Sequence, residues 1–137
     1  MKRKKIVLTE ADCERLQWLI DSSRAQCRRD IERVDELENE LMRAIIVKSH
    51  QVPRDIVTMN SRVRIRDLST GRELTYQIVF PKDADVAENR ISVLAPIGTA
   101  LLGNGVGATV KWRVPSGLRR FFILAVDYQP ESAKVAA

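Results

Sequence analysis

Apolar residues in the first third of the chain recur at helical spacing. Cys13, Leu16, Leu19 and Ile20 form one series, and Cys27, Ile31, Val34, Leu37, Leu41, Ala44 and Ile45 form a second. Thr9, followed three residues later by Asp12, resembles a capping box with Asp in place of Glu, and predicts a helix start just before the first series. The pattern weakens at Asp21, Ser22 and Ser23. Each helix carries a single apolar stripe that water would leave uncovered. The pair therefore predicts an antiparallel hairpin, turning near residues 21 to 27, with two helices lying flat on a sheet as the alternative.

From Val52-Pro53 onward the period changes from helical to alternating. Val63 and Ile65, then Leu74, Tyr76, Ile78 and Phe80, alternate with polar residues across Ser69-Thr70-Gly71, the pattern of a β-hairpin with one buried face. Ile91 to Leu94 predicts a third strand. Pro96 suits the first turn of a short helix that buries Ile97, Leu101 and Leu102 and ends near Gly103. Further strands are expected at Thr109 to Val114 and Arg119 to Tyr128, joined by Pro115-Ser116-Gly117, with a frayed tail to Ala137. The fold class expected is α+β: a basic tail and helical hairpin over residues 1–50, then an antiparallel sheet domain with a short helix over residues 51–137.

Charge and composition sharpen this picture. Residues 1–8 carry four basic side chains and no acid; residues 9–50 hold seven basic and ten acidic; residues 51–137 hold twelve and eight, giving the net +5. A basic tail and a mildly basic C-terminal part are compatible with nonspecific nucleic acid contact, although a soluble surface has the same look. Aromatics are only 5%, which leaves little material for a base-stacking platform. Lys2 to Lys5 resemble a signal-peptide start, but the apolar run stops after Ile6, Val7 and Leu8, and no segment approaches the length of a membrane span. A cytoplasmic protein without membrane contact is expected.

Candidate chemistry is sparse. Cys13 and Cys27 lack C-x-x-C spacing and read as reduced, buried thiols, and His50 is the only histidine, so zinc and nucleophilic catalysis find no support. The Gly103, Gly105 and Gly107 cluster follows a helix and opens a strand, which fits a turn better than a phosphate loop. Asp35, Glu36, Glu38 and Glu40 form an acidic cluster, yet Arg33 and Arg43 flank it on one helix, which fits a solvated face better than a metal site. No metal or cofactor is expected.

Several motifs together resemble a known family. Ile91-Ser92-Val93-Leu94-Ala95-Pro96-Ile97-Gly98-Thr99-Ala100-Leu101-Leu102-Gly103, then Val106-Gly107, Val110, Val114-Pro115-Ser116-Gly117 and Phe121 to Tyr128, resemble the C-terminal domain of the bacterial Gre transcript-cleavage factors over about residues 52 to 130. Val57-Thr58-Met59-Asn60-Ser61-Arg62-Val63 and Tyr128-Gln129-Pro130-Glu131 look more specifically like Rnk, the regulators of nucleoside diphosphate kinase. The resemblance implies an FKBP-like sheet domain that docks at the rim of the RNA polymerase secondary channel, with a short coiled-coil hairpin directed at the channel. It implies a docking loop at Leu94, Ala95 and Pro96, where the Gre pattern has Asp-Ser-Pro, and an arm tip at Arg24, Arg28 and Arg29, where Gre factors carry a pair of acids that bring Mg²⁺ to the polymerase. The arm, about 20 residues per helix and on the order of 30 Å long, is shorter than theirs.

The expected function is a non-catalytic transcription regulator, monomeric, that competes with Gre factors for the channel entrance. A short Gre-type transcript-cleavage factor is the alternative, and the basic tip counts against it. A prolyl isomerase would rest on fold analogy alone. A generic nucleic-acid binder acting through the basic tail would show weak, salt-sensitive binding.

Overall fold

A computed structural model describes residues 6–26, 31–114 and 117–136. A short strand β1 (Val7–Thr9) leads directly into helix α1 (Glu10–Gln26), and α2 (Ile31–Arg43) returns antiparallel to it and enters strand β2 (Ile45–Val47). The Thr9 hydroxyl accepts the Asp12 backbone N–H at 3.1 Å, so the cap forms where the sequence places it. Leu16 and Ile20 on α1 and Val34, Leu37 and Leu41 on α2 are buried, which makes the expected stripe a helix–helix seam.

Two helical expectations are corrected at the ends of the arm. The weak pattern at Asp21 to Ser23 does not break α1, which runs on to Gln26. Ile45 leaves the helix, because the β-branched run Ile45-Ile46-Val47 finds a partner in Val7–Thr9, with Val7 opposite Ile45 in a parallel register. The arm thus has 17 and 13 residues in its helices, about 25 Å and 20 Å. Its base is closed by backbone pairing, including Ile45 N–H to the Ile6 carbonyl at 2.8 Å.

The second layer is a five-stranded sheet in the order β5-β4-β3-β7-β6, built from β3 (Arg62–Asp67), β4 (Glu73–Val79), β5 (Arg90–Ser92), β6 (Thr109–Val114) and β7 (Gly117–Tyr128). Three of its pairings are antiparallel as expected; β5 runs parallel to β4, after the connection 80–89 carries the chain back. The third strand ends at Ser92 rather than Leu94. The Ser92 hydroxyl accepts the Leu94 N–H and its carbonyl the Ala95 N–H, both at 3.0 Å, and this turn lifts Leu94 out of the sheet, while Val93 still donates its N–H to the Val79 carbonyl of β4 at 2.8 Å.

Helix α3 (Pro96–Leu101) starts on its proline and lies over that turn. A Cβ on Gly98 would sit 2.2 Å from the Ser92 carbonyl oxygen, so only glycine allows the approach. Gly103, at φ +80°, closes the helix against Ile6, as the sequence pattern predicts. The tail is not frayed over residues 130–136. Pro130 and Glu131 open a last helix α4 (Pro130–Ala136), anchored by the Gln129 amide, which donates to the carbonyls of Pro53 and Ile56 at 2.7 and 2.8 Å. One hydrophobic cluster runs from Leu16 and Leu37 of the arm through Ile6 and Leu101 to Ile65 and Ile123 of the sheet.

Candidate functional site

The junction between arm and sheet is polar at its surface and tightly specified. Asp12 is 3% exposed, and one carboxylate oxygen accepts the Met59 backbone N–H at 3.0 Å. The same residue therefore sits in the first turn of α1 and ties that turn to the loop before β3. Burial pushes its pKa up to about 6, and nearby Glu131 adds to the rise, while the Met59 N–H, Arg15 and Thr9 pull the other way. Glu131 in turn accepts from the Thr58 hydroxyl at 2.7 Å, and Thr58 is bonded to Ser61. A cleft of about 200 Å³ opens beside these groups, lined by Asp12, Arg15, His50, Asn60 and Glu131 together with the apolar Ala11, Met59 and Pro130.

The loop Leu94, Ala95, Pro96 lies at the N-terminal end of α3. Leu94 is 7% exposed and belongs to the core, whereas Ala95 and Pro96 are half-buried and present their remaining surface at the start of the helix. Thr99 braces the loop, its hydroxyl donating to the Val93 carbonyl at 2.6 Å. The structure thus brings the three positions together, with two of them facing out.

Of the three arginines expected at the arm tip, Arg28 and Arg29 lie outside the described residues. Arg24 stands in the last turn of α1 and reaches across the seam, holding Asp35 at 2.6 Å and Glu38 at 2.8 Å. The hydrogen bonds that Arg24 donates to Glu38 and Asp35 raise its pKa, and the guanidinium lowers that of Glu38. Glu40 pairs with Arg43 on the same helix. The acidic cluster of α2 is therefore partly charge-compensated. Among the described residues no three His, Cys, Asp or Glu side chains gather as metal ligands. Cys13 is half-buried, where a buried thiol was expected, and burial together with Glu14 pushes its thiol up, away from nucleophilic character. Cys27 lies outside the described residues.

Sequence reasoning missed two features. Asp12 reads from sequence as a helix cap, and nothing local to it signals a partner 47 residues away. The second was legible: every outward position of β3 from Arg62 to Arg66 is arginine, alternating with Val63 and Ile65, and the alternation served only to define the core.

The comparisons with known proteins agree with this architecture in both halves. A model of the Rnk N-terminus matches residues 4–47, and a model described as transcription elongation factor, GreA/GreB, C-term matches residues 52–128. A regulator of nucleoside diphosphate kinase from Escherichia coli K12 is 36% identical over 134 residues, 97% of this chain and 96% of the relative. The transcription elongation factor GreA of Clostridium beijerinckii is 38% identical over 95 residues, but these make up 69% of this chain and only 59% of that protein. Among solved structures, a prokaryotic transcription elongation factor GreA/GreB from Nitrosomonas europaea superposes with a TM-score of 0.74 at 38% identity, covering 92% of this chain and all of that one. No helix among the described residues is long and apolar enough to cross a membrane. With the two family models covering residues 4–47 and 52–128 and the Escherichia coli relative covering 97% of the chain, the chain belongs to the Rnk family.

Proposed function

We propose that the protein is a non-catalytic transcription regulator that binds RNA polymerase at the rim of the secondary channel and competes there with Gre factors. The observation that carries this reading is a division within the chain. The sheet domain keeps the GreA/GreB C-terminal pattern with Ala95 and Pro96 half exposed at the start of α3, while the arm is short and two of its carboxylates, Asp35 and Glu38, are taken up by Arg24.

Transcript cleavage in the Gre manner needs carboxylates free to hold Mg²⁺, and an ion pair with arginine competes with that role. An arm of about 25 Å still suffices to occupy space at a channel entrance. The seam residues are used up within one chain, which supports a monomer acting alone. The test is capture of core RNA polymerase on the immobilised protein, repeated with increasing amounts of a Gre factor. Retention of the polymerase, and its loss as the Gre factor is added, are expected. Polymerase retained unchanged at saturating Gre factor places the two on different surfaces, and no retention at all ends the reading.

A further inference from the structure

The sheet has two faces, and only one is covered. Val63, Ile65, Ile78, Val110, Phe121 and Ile123 point into the core shared with α3 and the arm. On the other face β3 presents Arg62, Arg64 and Arg66, all exposed. Arg90 extends this row across Gln77 of β4, and Lys111 of β6 lies opposite Arg120 of β7 on the far side. Two acids interrupt the six cations: Asp127 pairs with Arg64 at 2.8 Å and Glu73 with Arg66 at 2.9 Å. Arg62, Arg90, Lys111 and Arg120 have no carboxylate partner among the described residues. A protein at net +5 has concentrated uncompensated charge on one open face.

Two further observations narrow the partner. Arg62 and Arg90 line a polar notch of about 230 Å³, together with Thr75, Gln77, Asn89 and one carboxylate, Glu88, so two guanidiniums outnumber the single acid at its border and leave it net cationic. The Arg62 guanidinium also lies 5.9 Å from the centroid of the Tyr128 ring, which is 40% exposed, and Phe122 shares that face opposite Arg66. A guanidinium beside an open ring is a surface on which a nucleobase stacks.

Arg62 with Arg90, and Lys111 with Arg120, stand as two cationic pairs toward opposite ends of the sheet, so an extended polyanion spans them where a compact one does not. Asp127 and Glu73 retain lone pairs able to accept a ribose 2′-hydroxyl. We propose that this uncovered sheet face binds single-stranded RNA, with its phosphates along Arg62, Arg90, Lys111 and Arg120 and a base on Tyr128. The binding is phosphate-dominated, because only two rings are seen on this face among the described residues, and it needs no polymerase.

The experiment is fluorescence anisotropy of a short labelled single-stranded RNA of mixed sequence with the full chain at several salt concentrations. Four contacted phosphates give a slope of log K against log salt of about −3. Arg62→Gln with Arg90→Gln is expected to weaken binding roughly tenfold at low salt and to reduce the slope to about −1.4. All eight residues changed in these variants are at exposed or tail positions, and an unchanged circular dichroism spectrum and melting temperature confirm the fold. Lys48→Gln with Arg54→Gln removes the same charge away from the sheet and is expected to leave binding within about twofold. Changing Lys2, Arg3, Lys4 and Lys5 to Gln is expected to leave the slope of the remaining face unchanged. Equal loss in the Lys48/Arg54 variant, loss of all binding with the tail, equal or tighter binding of the same DNA sequence, of duplex RNA or of polyglutamate, or no RNA binding at low salt each overturns the proposal. Polymerase is absent from every tube, so the outcome is independent of the function proposed above.

Discussion

Replacing Asp12 with Asn tests the junction most directly, because the substitution keeps the oxygen that accepts the Met59 N–H and removes only the charge. In the folded chain Asp12 titrates near 6, against an ordinary value of 3.8. A carboxyl whose folded pKa is raised binds its proton more tightly when folded. Its favourable contribution is then fully present below about 3.8 and lost as pH rises through about 6. The displacement corresponds to about 3 kcal/mol between those limits. The stability of wild type minus that of Asp12→Asn is therefore expected to fall by about 3 kcal/mol between pH 3.5 and 7. At neutral pH the Asn chain is relieved of the buried charge and of its repulsion with Glu131. Urea unfolding of both chains across this range measures the difference, in which every other titrating group cancels to first order. A difference curve that is flat from pH 4 to 7, or rises with pH, would refute the reasoning and mean that the cleft hydrates the carboxylate fully.

Three further outcomes are expected. Pro96→Asp places an acid at the first position of α3, where the backbone tolerates it, and should weaken polymerase capture about tenfold with the melting temperature nearly unchanged; undiminished capture by the folded variant moves the contact elsewhere. Adding the protein to a backtracked elongation complex should produce no shortened RNA above the polymerase's own background, and shortened RNA would revive the cleavage-factor alternative. Leu37→Asp sets a carboxylate into a fully buried seam position at a cost of several kcal/mol, so helicity and melting temperature should both drop while the mass stays that of a monomer; a wild-type dimer split into helical monomers by this change would assign the stripe to self-association.

The elements that were legible in the sequence are those fixed by periodicity. The spacing of Leu16, Ile20, Val34, Leu37 and Leu41 specifies a seam regardless of what lies beyond it, and alternation from Val63 to Phe80 specifies a hairpin. The elements misread are those decided by distant partners. Ile45 continues the helical spacing perfectly well, and it becomes a strand only because Val7 lies beside it. Leu94 extends an apolar run, yet a serine hydroxyl two residues earlier turns it out of the sheet. Glu131 and Gln129 look like tail residues until the loops around Pro53 and Thr58 supply their partners. Leu94, Ala95 and Pro96 were readable as a motif, but the burial of Leu94 depends on α3 folding back over it.

The same partners that escape periodicity give the molecule its mechanical character. A two-helix arm joined to a sheet by a linker would swing. Here three separate ties fix its base: the β1–β2 pairing, the Val7 N–H bond to the Gly103 carbonyl at 3.0 Å, and the Asp12 bond to Met59. Gly103 follows α3, and α3 begins at Pro96, so six residues of helix connect the proposed docking loop to the strand from which α1 departs. The hydrophobic cluster is continuous across the same path, from Leu94 and Leu101 to Leu41 and Leu37. A regulator that supplies no chemistry acts by where it puts its bulk. With these ties, the proposed docking through Ala95 and Pro96 would fix the direction of the arm as well as the position of the sheet domain, and a loosened junction would separate the two: polymerase capture would survive while competition with Gre factors weakened.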